Sequence, residues 1–502
     1  MFLLEFCLFF LFGTLGWAAK TVAIISTDDL DAKITSEMSS FSDSDITFTI
    51  SPGSYSIHSN FTIAGVLTNL AFVSTAVAPS TLSDCSALPQ IGFSDLGMLN
   101  FTNAQKIRFQ GVTLIADGTT RIQGINPSSN YIFQDSCILE GNTPTGSSTF
   151  LYARSSIYFN SSIISKTLDS STFTVITANF IWNQSQIYYT GSSSSYHPVV
   201  FVMGTTSAVN CASSSTIGIF TAKFTGLTLS GNSNSYQLLA PIIVAKELYY
   251  VEFQNVLVKD LFHSMNQPMI TLNPTGSIDC GSMTAHALFH FSDITTLNII
   301  DMSFTNNTLI ADSSRGNEWS PILISNVNQH LFSNPIIFDH LFWTDSGTNR
   351  QLSTYLIKIV RGQMYNPQTT TYPQMTITNS KLQGQYLRLI SVVFDSNALT
   401  NMQSHPTPNK FALSGLQVQN ITVLSGYSAI EVGFLDIKDG SNFRSSPSNQ
   451  ITFSSFSIKD SVFEGMRLIV PIVNSITNIF QYLDYSIEFA ARAHFEITDF
   501  TL

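Results

Sequence analysis

The chain has 502 residues, of which 44% are hydrophobic and only 11% charged, and its net charge is −11. That much apolar material fills a sizeable core and excludes simple disorder. The charge-poor, Ser/Thr/Asn-rich composition argues against a cytosolic helical enzyme, and 33 acidic residues against 22 basic ones exclude a nucleic-acid binder, whose field must attract phosphate.

Residues 1–18 read as a signal peptide: an apolar run too short for a comfortable membrane span, closed by the small residues Gly16 and Ala18 ahead of Ala19. Glu5, with no Lys or Arg beside it, leaves an uncleaved anchor as the alternative. A strand follows at Thr21–Ser26. Then comes an amphipathic helix over Asp28–Phe41, with Leu30, Ile34, Met38 and Phe41 on one face and acids near its start. Residues 19–70 are read as an N-terminal cap with the first coils, and residues 71–502 as one long repeat domain.

The repeat is Φ-x-Φ-x-x-Φ-x-Φ, with Φ usually apolar. It starts at Ile107, Tyr131, Ile157, Phe180, Ala222, Val251, Leu297, Ile336, Met375, Phe411, Ile451 and Phe495. Each Φ-x-Φ is a short strand with alternate residues inward. The two-residue interruption shifts the phase, so the chain must bend there to keep the second Φ-x-Φ inward. The interrupting pairs, such as Gln110-Gly111, Asn183-Gln184 and Thr378-Asn379, are rich in residues that tolerate left-handed backbone. A third apolar strand recurs between copies, for example at Pro198–Met203, Pro241–Ala245, Pro268–Leu272, Pro321–Ser325 and Leu468–Val473. Three strands and three corners per copy describe the coil of a β-solenoid, whose open first coil the N-terminal helix would cover.

Between the helix and the repeat lies Ile46–Ile57, ITFTISPGSYSI: strand, Pro52-Gly53-Ser54-Tyr55 turn, strand. Placed after a capping helix and before twelve coils, it resembles the opening of the right-handed parallel β-helix proteins, the pectin-lyase-like fold. The resemblance implies an all-β, right-handed parallel β-helix over about residues 20–502, with the hand that crossover connections favour. The run Phe304 to Asn307 resembles, once, the Phe-x-x-Asn half of the polymorphic outer-membrane repeat, whose Gly-Gly-Ala-Ile half is absent.

Many proteins of this fold cleave polysaccharides, and two functional readings stay open. The polygalacturonase-like motifs are not matched: Asp28-Asp29 falls in the cap, Arg121-Ile122-Gln123 has Gln in place of a basic residue, and no Gly-His-Gly occurs. The best enzymatic candidate is the cluster His286, His290, Asp293, Asp301, Asp339, His340 and Asp345, where paired carboxylates could serve glycoside chemistry. Its bland counterpart is that polar residues occupy the corners. The first reading is therefore a non-catalytic secreted or cell-surface β-solenoid for adhesion, matrix or carbohydrate contact. The second is a divergent polysaccharide lyase or glycoside hydrolase. No catalytic, cofactor or metal residue is assigned. Expected partners are extracellular polysaccharide or cell-surface glycans, with no nucleic acid. A membrane enters only through a missing C-terminal part or an uncleaved anchor.

Six glycosylation sequons accompany the signal peptide: Asn60, Asn100, Asn160, Asn183, Asn306 and Asn420. Once Cys7 leaves with the leader, Cys85, Cys137, Cys211 and Cys280 remain. Cys211–Cys280 is the favoured bridge, and Cys137, beside inward Ile138, is expected as a free outward thiol. Ser136, Ser162, Ser185 and Ser380 occupy the inward sixth position and are expected to bond to one another or to backbone. The twelfth copy ends on Leu502, its eighth position, before a closing strand. The expectation is a fragment or module of a longer protein, with residues 466–494 folding back as a cap as the alternative.

Overall fold

The structure is a computed structural model. It describes residues 19–344 with interruptions, the longest at 207–217 and 265–286, and then chiefly the strands between residues 354 and 498. Every described strand pairing is parallel. The strands form a 24-stranded sheet, a 13-stranded sheet and two four-stranded sheets. The 13-stranded sheet takes one strand per coil in chain order, from Asn60–Ile63 to Phe480–Leu483. The chain is a parallel β-helix.

The two-residue corner is a left-handed hinge. Its second residue is Gly111, Asp135, Ser161, Gln184, Gly226, Asn255, Asp301, His340 or Asn379, with φ between 45° and 65°. One left-handed residue between two extended segments turns the chain so that both segments keep their apolar side chains inward. The corner N–H groups continue the ladder, each donating to the carbonyl before the next corner: Gly111 to Gln134 at 3.0 Å, Ser161 to Asn183 at 3.0 Å and Gln184 to Thr225 at 2.8 Å.

Inward side chains stack from coil to coil. Phe109, Phe133, Phe159, Trp182, Phe224 and Phe253 are at most 1% exposed, with successive ring centroids 4.5–6.4 Å apart. The stack begins two coils earlier than the repeat suggested, at Phe48 and Phe72. The local pattern hides these coils because their corners are not two residues long. In one, Ser51-Pro52-Gly53 joins Asp45–Ile50 to Ser54–Ile57. In the other, residues 74–89 separate Asn69–Val73 from Gln90–Phe93.

The serine ladder forms as expected. The amides of Ser136, Ser162 and Leu341 donate to the hydroxyls of Ser162, Ser185 and Ser380 at 3.1, 2.9 and 3.0 Å. The hydroxyls of Ser162, Ser185 and Ser380 in turn donate to the carbonyls of Asn160, Asn183 and Thr378 at 2.7–2.8 Å. These serines are 3% exposed or less.

The cap is a helix described over Leu30–Ser39, starting at Leu30 rather than Asp28, and the first strand is Ala19–Ile24 rather than Thr21–Ser26. Asp29 starts the helix by accepting the Ala32 N–H at 3.2 Å. Leu30 and Ile34 are 1% exposed against the core, while the side chains of Met38 and Phe41 lie outside the described residues. The Asp31 carboxylate ties the helix to the coil through the amides of His58 and Ser59.

Three expectations need correction. First, the copies at Phe411, Ile451 and Phe495 are one unit out of phase. Leu416 and Val418 pair with Met375 and Ile377, Val423 pairs with Leu382, and Ile458 and Phe463 follow Val418 and Val423. The motif overlaps itself along Phe411, Leu413, Leu416, Val418, Ile421 and Val423, so local sequence fits two phases and only the neighbouring coil chooses. The displaced segments Lys410–Ser414, Gln450–Ser454 and His494–Thr498 form a separate four-stranded sheet with Thr370–Tyr372. Second, the place after Ile243–Lys246 in the 13-stranded sheet belongs to Phe289–Ser292, and Pro268–Leu272 lies outside the described residues. The place after Ile430–Leu435 belongs to Phe480–Leu483, and Leu468–Val473 lies outside the described residues. An apolar run in the sequence does not say which segment a sheet receives.

Third, Cys137 is not free. It is bonded to Cys85 with Cα atoms 5.8 Å apart. It does point away from the coil interior, but residues 74–89 cross the outer face there as a strap. The short 3-10 helix Leu82–Ala87 buries Cys85, Leu88, Cys137 and Ile163 in a small apolar cluster apart from the main core. Thr113 Oγ1 donates to the Cys85 carbonyl at 2.8 Å, and Gln186 reaches the Ser80 carbonyl at 3.4 Å, so the strap spans several coils. Cys211 and Cys280 lie outside the described residues.

Candidate functional site

The titratable cluster divides between two corners. Asp293 and Asp301 are both left-handed corner residues, with φ 54° each, at opposite ends of an extended segment. That segment holds them roughly 20 Å apart. His286 and Asp345 lie outside the described residues.

At the first corner, His290 flanks Val244 and Ser292 flanks Lys246. Phe289 and Phe291 belong to the core, so His290 points to the opposite face, yet it is 1% exposed. Burial pushes its pKa down to about 3, with the Lys246 charge adding to the shift. Asp293 and Glu247 are fully buried: the Ser292 hydroxyl donates to Asp293 at 2.9 Å, and Thr205 bonds to Glu247. At the second corner, His340 Nδ1 lies 2.8 Å from Asp339 and 3.9 Å from Asp301. Thr378 and Asn379 of the next coil donate to Asp339 at 2.6 and 2.8 Å. Burial works to raise the Asp339 pKa, but the bonds from Thr378, Asn379 and His340 outweigh it and hold the carboxyl below its ordinary range.

Two further ion pairs among the described residues are withdrawn from solvent. The side chains of Lys166 and Glu140 are at most 1% exposed and form an ion pair, with the Thr167 amide also donating to Glu140 at 2.8 Å. Arg121 pairs with Asp117 and donates to the Gly97 carbonyl at 2.9 Å, so it serves a corner. Asp28-Asp29 sits at the start of the cap helix.

One patch escaped the sequence reading. Lys223, Glu252 and Asn298 are in register on the outer face of three successive coils. Tyr250 bonds to Glu252 and accepts from Asn298 Nδ2 at 3.1 Å, while Lys223 Nζ lies 5.1 Å from the Tyr250 ring centre. Burial, followed by the bond to Glu252, raises the Tyr250 pKa. Tyr249 is 51% exposed beside it. The signal was the polar second position of the repeat, which is invisible when only inward positions are followed.

Among the sequons, Asn60 and Asn306 are exposed, and Asn100, Asn160 and Asn183 are half-buried; Asn420 lies outside the described residues. Among the described residues, no three His, Cys, Asp or Glu side chains converge to hold a metal. No helix there is long and apolar enough to cross a membrane.

No protein-family model matches the chain, and no curated protein matches it. Two solved structures are similar: catalytic domains of a GH87 alpha-1,3-glucanase, two point variants each in complex with tetrasaccharides. They share 10% and 11% identity with this chain, cover 96% of it and 69% of their own length, and superpose with a TM-score of 0.33. At that level the likeness ties no residue of this chain to a glucanase residue, and the parallel β-helix rests on its own strand pairing.

Proposed function

We propose that this protein is a non-catalytic, secreted or cell-surface β-solenoid that makes adhesive, matrix or carbohydrate contacts through the outer face of its coils. The supporting observation is where the charged side chains go. Glu140–Lys166 is sealed inside the coil stack, Asp117–Arg121 holds a corner, and Asp339 collects bonds from the next coil. These groups staple coils together. The Lys223–Tyr250–Glu252–Asn298 patch supplies ring and hydrogen-bonding groups on the outside. The buried Cys85–Cys137 bond favours an oxidising compartment, in keeping with the leader-like residues 1–18.

A divergent polysaccharide lyase or glycoside hydrolase is the second reading, favoured by the two carboxylates that flank His340. One experiment separates the two. The purified protein is incubated with neutral and acidic polysaccharides, and both retention and product release are measured. Retention without new reducing ends or unsaturated sugars is expected. Product release that disappears in Asp301→Asn or Asp339→Asn would establish the enzyme.

A further inference from the structure

The six Asn-x-Ser/Thr triplets are equal as sequence but not as structure. In Asn160-Ser161-Ser162 and Asn183-Gln184-Ser185 the triplet coincides with the solenoid corner: Asn ends one strand, the middle residue is left-handed (φ 47° and 45°), and the serine is the inward ladder residue. Those serines are 1% and 0% exposed, and each donates to the carbonyl of its own asparagine at 2.7 and 2.8 Å. The two asparagines are in register on adjacent coils, and Asn183 Nδ2 donates to Asn160 Oδ1 at 2.8 Å. Adjacent parallel strands are about 4.8 Å apart, less than the width of a sugar with its substituents, so two glycans cannot fit on neighbouring rungs. In Asn60-Phe61-Thr62, by contrast, both Asn60 and Thr62 are exposed at the edge of a coil.

We propose that Asn60 is a glycan acceptor, and that the Asn160 and Asn183 triplets are corner motifs that stay unmodified in the folded protein. Attaching a glycan replaces one hydrogen on Nδ2, the atom with which Asn183 reaches Asn160. A glycan on Asn183 would sit on the very atom that donates to Asn160, and a glycan at either site would crowd the corner above or below. A chain modified at Asn60 displaces no bond of this kind.

The test replaces residues 1–18 by a strong secretion leader and expresses the full remaining chain in cultured animal cells. The result then does not depend on what the native leader does. Folded protein, from medium and from cell extract, is selected by resistance to limited proteolysis. Site occupancy is then read by mass spectrometry after enzymatic deglycosylation in heavy-oxygen water. The expected result is Asn60 occupied in most molecules, with that glycan lost in Asn60→Gln, and Asn160 and Asn183 bare. An empty Asn60, or occupancy of Asn160 or Asn183 comparable to that of Asn60, overturns the assignment.

Discussion

Replacing Ser162 by Ala tests whether the inward serines hold the coils together or merely fit a tight corner. The hydroxyl of Ser162 accepts the Ser136 amide at 3.1 Å and donates to the Asn160 carbonyl at 2.7 Å. The carbonyl keeps a partner, because the Asp135 amide also donates to it at 3.1 Å. The Ser136 amide has no such reserve: the change leaves a buried N–H without its acceptor in a residue of 0% exposure. An orphaned buried donor costs about 1–3 kcal/mol, and the more easily buried methyl recovers a fraction of that. The expected net loss is about 2 kcal/mol, read as a lower urea midpoint at unchanged slope, together with faster hydrogen exchange at the Ser136 amide. Ser56→Ala serves as control, since Ser56 points outward from a strand of the same helix and should move stability by less than about 0.5 kcal/mol. Equal losses for the two variants, or unchanged exchange at Ser136, would refute the role assigned to the ladder.

Three further outcomes are expected. Peptide mapping without reductant should recover Cys85 linked to Cys137. Removing the pair should cost about 4 kcal/mol, the chain-entropy value for a loop closed over a separation of 52 residues; a loss below 1 kcal/mol would mean the strap holds without it. His290 keeps its proton off down to about pH 3 when folded but takes one up near pH 6.5 when unfolded, so its contribution is complete above about pH 6.5 and declines as pH falls toward 3. Between pH 6.5 and 5 that amounts to about 2 kcal/mol, and His290→Gln should flatten this part of the stability profile; a profile unchanged by the substitution counts against a buried neutral imidazole. Gly111→Ala forces a side chain onto a backbone with φ 63° and brings its Cβ to 3.0 Å from the Ser74 carbonyl oxygen. A loss of about 1–2 kcal/mol should follow, whereas Gln184→Gly, at φ 45°, should be neutral or stabilising.

The sequence by itself determined the coil. The periods of Phe109, Phe133 and Phe159, the turn-prone residues between the strands and the serines at the sixth position are local requirements: alternate residues must face one core, and a phase shift needs a hinge. Each is met within about ten residues, so each can be read there. Which segment lies against which was decided only in three dimensions. Phe411 and Leu416 both satisfy the pattern, and only pairing with Met375 and Ile377 in the preceding coil selects the second. The strap over Cys137 is likewise invisible locally, because residues 74–89 reach a surface made by coils that come later in the chain. The titratable cluster came together only in part, with Asp301, Asp339 and His340 sharing one corner and Asp293 standing at another. Nearness in sequence between Asp293 and Asp301 becomes distance when the intervening residues run extended, while Lys223, Glu252 and Asn298, far apart along the chain, meet because a parallel coil returns each turn to the same face.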